Sequence, residues 1–335
     1  MRKNYLTILV IAITLALALS PVQLAYGQGA HAKHFEGIKI RFFCGGPPGC
    51  PFATVVYRGA RAAEMDLGCT VEYIWSDWNP EKMVKQFKEA IAARPDGIAI
   101  MGHPGQDALE PLIDQAIARG IIVTSQNTDL PRIEQKYRGD GFGYVGQDLY
   151  QSGYSLAKKC VEKFGLKKGD RALVWGLLSQ ETRGLRTKGA IDALEKAGLK
   201  VDYMEISPVV NSDPPAGTPV ITGYISSHPD VKLIITDHGG LTGTVETYLR
   251  AAGKKPGQIK AAGFDLTAAT VEAIKNGYCS IILDQQPYLQ GYLPILQICL
   301  TKKYGFSGLH IDTGAAFIDA SNVDAVADLA KKGIR

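Results

Sequence analysis

The strongest constraint on this chain is its rhythm. From about residue 37 onward, short runs rich in β-branched and aromatic residues alternate with longer amphipathic stretches, almost to the C-terminus. The runs 38–44, 70–75, 97–101, 121–125, 172–177, 201–206, 233–236, 259–262 and 279–284 read as strands. Between them, 52–67, 80–93, 107–119, 152–164, 182–197, 241–252 and 268–276 read as helices. Asn79 before Pro80 is a helix start, and Gly68 and Gly120 sit where helices should stop. Strand–helix–strand repeats close through right-handed crossovers, which gives a parallel sheet with helices on both faces. The spacing does not suit one closed eight-fold barrel. Around 132–143 neither periodicity holds, and that stretch reads as a connector between two halves. The expected fold is α/β, with two doubly wound parallel-sheet lobes. A ligand cleft then lies where the carboxyl ends of the strands meet.

The N-terminus reads as an export signal. Arg2 and Lys3 precede an apolar run from Leu6 to Leu19, and Ala25-Tyr26-Gly27 is a small-x-small cleavage site. The competing reading is an uncleaved membrane anchor. Pro21, Gln23 and the small-residue site favour cleavage near Gly27 and an exported, periplasmic protein. A chain of 335 residues exceeds the usual size of one core, so two domains are expected. The formal net charge is +4, part of it on Arg2 and Lys3, and no basic stretch suits nucleic acid. Of the six cysteines, Cys44 and Cys50 flank Gly45-Gly46-Pro47-Pro48-Gly49, and either bridge this loop or remain unpaired. Cys69, Cys160, Cys279 and Cys299 lie in apolar contexts that suit small core residues. No spacing suits zinc, and no metal or cofactor is expected.

The triplet Gly263-Phe264-Asp265 ends one strand, and Asp237-His238-Gly239 follows another. Glycine lets a ligand approach the backbone, phenylalanine offers a flat apolar face, and aspartate accepts hydrogen bonds from hydroxyls. Arg186 could donate two bonds in a rigid fork, facing Asp265 across the gap. Gln126, Asn127, Gln147 and Gln285 each offer a donor and an acceptor, and Phe52 could cover a ring face. Each has a structural alternative. Asp265 could cap the next helix, Arg186 could pair with Glu181, and Phe52 could be a core staple. Trp75 and Trp78 suit burial more than binding, His103 suits loop support, and His238 and Gln285 fit either role. No nucleophile elbow, zinc-protease helix or phosphate-binding loop appears, so an enzyme is not expected.

Several landmarks, in order, resemble the periplasmic sugar-binding proteins of ABC importers, of the ribose/galactose-binding type. They are Pro51-Phe52 with Arg58-Gly59-Ala60, Arg94-Pro95-Asp96-Gly97-Ile98, Val145-Gly146-Gln147-Asp148, Arg186-Thr187-Lys188-Gly189, His228-Pro229-Asp230-Val231, Gly263-Phe264-Asp265, and Gln285 before Gln286-Pro287. The resemblance covers the chain from about Gly37 to its end. It implies a type I periplasmic binding protein with a multi-strand hinge. The N-terminal lobe would be 36–147 plus 286–313, and the C-terminal lobe 148–285 plus 314–335. It also implies a monomeric receptor for a sugar or polyol that docks on a membrane permease. A receptor presenting its ligand to a chemoreceptor or sensor kinase is the alternative. The ligand-binding residues implied are Phe52, Gln126, Asn127, Gln147, Arg186, His238, Asp265 and Gln285. Three positions depart from that family's pattern. Gln126-Asn127 stands where an Asp-Arg pair is usual, His238-Gly239 where Asn-Asp is usual, and Cys50 replaces an asparagine.

Overall fold

Every strand expected from the sequence forms in the computed structural model, which describes residues 34–314 and 316–335. The export-signal reading of residues 1–27 lies outside them. The first lobe is built from β1 (Lys39–Gly45), α1 (Pro51–Leu67), β2 (Thr70–Trp75), α2 (Pro80–Ala92), β3 (Gly97–Met101), α3 (Gln106–Ala118), β4 (Ile122–Gln126), α4 (Pro131–Tyr137) and β5 (Gly143–Gly146). The chain then builds the second lobe. Its elements are α5 (Leu149–Phe164), β6 (Arg171–Gly176), α6 (Leu185–Lys196), β7 (Lys200–Glu205), α7 (Pro208–Ser212), α8 (Thr218–Ser227), β8 (Val231–Thr236), α9 (Gly239–Ala251), β9 (Lys260–Phe264), α10 (Ala268–Lys275) and β10 (Ile281–Asp284). It returns to the first lobe for α11 (Pro287–Tyr304) and β11 (His310–Asp312). A last crossing leads to β12 (Ala316–Ile318) and α12 (Asp324–Lys331).

The two sheets run β11-β5-β4-β3-β1-β2 and β12-β10-β9-β8-β6-β7. All pairings are parallel except β10 with β12. In each sheet an early strand has neighbours reached in opposite directions, β1 between β2 and β3, and β6 between β7 and β8. These are the switch points where doubly wound sheets open a crevice. Alternation along β1 sends Phe42 to one face of its sheet and Phe43 to the other, each into its own apolar cluster. In the second sheet Leu173 and Val174 divide the same way.

Local signals set the ends of several helices. The Asn79 side chain accepts from the amide of Lys82, with Pro80 in the first turn. Gly68 closes α1 at φ 79°. Each lobe also contains one very close helix crossing. A Cβ on Gly59 would fall on the carbonyl of Tyr288, and one on Gly291 on that of Val56, so α1 and α11 nearly touch backbones. In the second lobe Gly153 lies against the carbonyl of Arg186, and Gly189 against that of Tyr150, which brings α5 and α6 equally close.

Two expectations need revision. The stretch 132–143 is not a structureless connector but holds α4, a 3₁₀ turn and the start of β5. Only Ile133 and Glu134 of α4 are buried, too few positions to display a period. All six cysteines are free thiols, so no bridge joins Cys44 and Cys50. Cys44 packs in the core on the α1 side of the sheet, and burial pushes its thiol up to about 12. No helix among the described residues is long and apolar enough to cross a membrane.

Candidate functional site

A cavity of about 310 Å³ lies between the carboxyl ends of the two sheets. The first lobe supplies an aromatic wall. Phe52 comes from the first turn of α1, Trp78 from the loop after β2, and His103 from the loop after β3. Asp77 and Trp78 are consecutive left-handed residues, at φ 53° and 56°. Such backbone is unfavourable for non-glycine residues and persists only where packing enforces it. Here the indole lies flush on Gly45 and Gly46, where any Cβ would strike it. The Trp78 ring centroid is 5.8 Å from that of Phe52 and 5.3 Å from that of His103. Asn127, at φ 64°, donates to Gln285 Oε1 at 3.2 Å and Gln290 Oε1 at 3.1 Å.

The second lobe supplies a polar wall. Arg186, in the first turn of α6, is only 1% exposed. It donates to the carbonyl of Asp237 at 2.9 Å, to Gln147 Oε1 at 2.8 Å and to Gln285 Oε1 at 3.1 Å. Its guanidinium lies 4.3 Å from the centre of the Phe264 ring, over which it stacks. Arg183 forms a buried ion pair with Asp237, whose other oxygen accepts from Thr187 Oγ1 at 3.0 Å. Asp265, at φ 71°, accepts from the amide of Gly239 at 2.8 Å and from Gln285 Nε2 at 2.5 Å.

These contacts decide the charge states. Burial pushes the Asp237 carboxyl up, but Arg183 and Arg186 outweigh it and hold the group below its ordinary range. Asp265 is raised, chiefly by burial. Burial, then the neighbouring Arg183, lowers Arg186 to about 10. Burial also lowers His238 to about 4 and His103 to about 3, so both rings are neutral at pH 7. His238 Nδ1 accepts from the amide of Gly240 at 3.2 Å, which leaves the proton of the neutral ring on Nε2. Four polar atoms of the wall are buried and make no hydrogen bond within the protein: Gln180 Oε1, Arg183 Nη1, Arg186 Nε and His238 Nε2. Each such group costs about 1–3 kcal/mol unless something else bonds it.

Of the residues expected from sequence, Phe52, Asn127, Arg186, His238, Asp265 and Gln285 line this cavity. Gln126 and Gln147 do not. Gln126 donates into the core, to the carbonyl of Phe43 at 3.0 Å, and Gln147 stands behind Arg186 as its acceptor. Asp265 does not cap the following helix, because Thr267 caps α10 by accepting from Thr270. Arg186 does not pair with Glu181. Nor do Arg186 and Asp265 face one another across the gap, since both stand on the second-lobe wall, joined through Gln285. Arg183 and Gln180 line the cavity without having been expected there; Trp78, for which burial was favoured over covering a ring, and His103, for which loop support was favoured, line it as well. For Trp78 the usable signal was its place just beyond a strand's carboxyl end.

The Periplasmic binding protein domain family matches residues 45–299. This chain belongs to that family. A curated relative is the xylose/arabinose-binding protein XylF of Sulfolobus acidocaldarius, 31% identical over 82% of this chain and 69% of that one. The D-ribose/D-allose-binding protein of Pseudomonas aeruginosa is 28% identical over 70% of this chain and 73% of that one. Among solved structures, a carbohydrate transporter from Acidothermus cellulolyticus 11B, in complex with myo-inositol, superimposes with a TM-score of 0.75 at 26% identity. That match covers 89% of this chain and 99% of the other. Periplasmic binding proteins of this type are receptors for transport rather than enzymes, and they act outside the cytoplasm.

Proposed function

We propose that this protein is the extracytoplasmic receptor of an ABC importer, which closes its two lobes over one uncharged sugar or polyol. The observation that carries the reading is the pairing of two unlike walls. Unbonded donors and an acceptor on Gln180, Arg183, Arg186 and His238 face an aromatic surface of Phe52 and Trp78. A sugar ring has the matching faces, hydroxyl edges for the polar wall and C–H faces for the aromatic one. The pentose-binding name of the Sulfolobus relative and the myo-inositol held by the Acidothermus protein support a ligand of one ring. Asn127, Arg186, His238, Asp265 and Gln285 hold its hydroxyls, with Arg183 and Gln180 beside them. Closure bends the segments that join the lobes, after β5, after β10 and between β11 and β12. In this account the leader is removed near Gly27, and the receptor works as a monomer that docks on its permease when closed.

Thermal unfolding with a panel of D-xylose, L-arabinose, D-ribose, D-glucose and myo-inositol tests the reading. At least one should raise the melting temperature in a saturable way. No shift with any of them at millimolar concentration would count against a sugar, and turnover of a bound compound would count against a receptor.

A further inference from the structure

On the rim of the cavity a hydrogen bond joins the lobes at the start of a helix, apart from the Arg58 bond to the Lys332 carbonyl elsewhere between them. Helix α3 starts after Gly105, which sits at φ 84° and has no side chain to cap the helix. The first amides of a helix lack intrahelical partners and carry partial positive charge. Here the amide of Gln106 donates to Glu181 Oε2 at 3.2 Å. Glu181 belongs to the other lobe, in the loop between β6 and α6. Its carboxylate occupies the space that a Cβ on residue 105 would fill, so glycine at that position leaves room for it. The same loop carries Gln180 and Arg183 to the cavity wall. Gln180 Oε1 and Arg183 Nη1 are buried and unbonded within the protein, while Asp237 holds Arg183 Nη2. A ligand that bonds those two atoms therefore steadies the loop from which Glu181 reaches across.

We infer that Glu181 is a positioning residue for ligand capture, capping α3 from the opposite lobe and so coupling an occupied Gln180–Arg183 loop to closure. The inference rests on the cleft-closing reading above, and goes beyond it by naming one bond that holds the closed form. Because the bond joins the lobes, it is absent from an opened molecule. It therefore acts on the rate at which the closed form opens and not on the rate of first encounter. Gly105 contributes by what it lacks: with an ordinary capping side chain, the helix would need no partner from the other lobe.

The test uses Glu181→Ala, Gln106→Pro and the double variant. Proline is well tolerated at the first position of a helix, so Gln106→Pro removes the amide donor and leaves α3 able to form. It also removes the Gln106 side-chain bond to the Arg132 amide, at 2.7 Å, for which Gln106→Ala is the control. Two readouts are taken: the closed fraction of the unliganded protein, from a fluorophore pair with one label on each lobe, and stopped-flow dissociation of D-xylose and L-arabinose. Glu181→Ala should lower the closed fraction and speed dissociation about three- to ten-fold, the range of a lost helix cap. Association and the melting temperature of the opened protein should stay as in wild type. Gln106→Pro should match it, Gln106→Ala should not, and the double variant should be no worse than either single. An unchanged closed fraction in Glu181→Ala, or additive effects in the double variant, overturns the inference. If wild type binds no sugar, the sugar reading fails by itself, and the unliganded closed fraction still decides on Glu181.

Discussion

In the first lobe, the loops beyond β1, β2 and β3 bring Phe52, Trp78 and His103 to the cavity. In the second, the loops beyond β6 and β8 bring Arg183, Arg186 and His238. The sheets share one strand order around their switch points, and their helices make matching close crossings. What differs is the chemistry placed on equivalent loops. The polar wall is already organised by the protein, since Asp237, Gln147 and Gln285 hold the two guanidinium groups in place. Groups held in position before binding lose little freedom on meeting a ligand. The aromatic wall offers surface with few directional bonds. Under the proposed function the labour divides accordingly: the second lobe, with Asn127, would select hydroxyl geometry, and the aromatic side chains of the first would cover the ring and exclude water.

Arg186 carries the greatest weight in that division. Arg186→Met removes a charged donor whose bonds tie Asp237, Gln147 and Gln285 together. Affinity for the best sugar, measured by calorimetry, should fall at least about a hundred-fold. The next effect compares the two helix crossings. Gly153→Ala drives a methyl into the Arg186 carbonyl, and Gly59→Ala drives one into that of Tyr288. Each should cost about 1–3 kcal/mol in denaturant unfolding, but only Gly153→Ala should also weaken binding, because only it displaces Arg186. Equal losses of affinity in both would break the comparison.

Trp78→Ala should weaken binding about ten-fold, the scale of losing one aromatic face. A larger loss than in Arg186→Met would reverse the roles assigned to the walls. The smallest effect concerns acid. His238 and His103 stay neutral in the fold, at about 4 and about 3, whereas the unfolded rings titrate near 6.5. Between those values the unfolded chain binds protons that the folded one refuses, so stability falls as pH drops from about 6.5 towards 4. Asp265, raised by burial, acts in the opposite sense. Replacing His238 with Asn should flatten the loss of stability between pH 7 and 5.5 by about 1 kcal/mol. Sugar affinity of wild type should stay level from pH 7 to about 5. A steep fall near 6.5 would mean that a ring at the site ionises in the folded state.

Much of this was legible in the chain itself, and the failures have physical causes. Strands show because each carries a β-branched run between turn residues, and the Asn79–Pro80 start shows because capping is local chemistry. Helix α11 was not legible as an amphipathic helix. It is buried on several sides, at Gln290, Ile295, Gln297 and Ile298 among others, and carries Pro294 within it, so no single apolar stripe appears. Gln126 and Asn127 illustrate the limit for the site. Neighbouring residues at a strand end point opposite ways, and only the left-handed turn at Asn127 decides which one meets the cavity. Arg183 gave no sign because its partner, Asp237, lies 54 residues away in sequence.

A crystal structure of the complex with the sugar that gives the largest thermal shift would decide whether the two walls act together on one ring. The ring should lie against Trp78 or Phe52, with its oxygens within hydrogen-bond distance of Arg183 Nη1, Arg186 Nε and His238 Nε2. A sugar bound outside the cavity, or inside it with those three nitrogens still unbonded, would contradict the account.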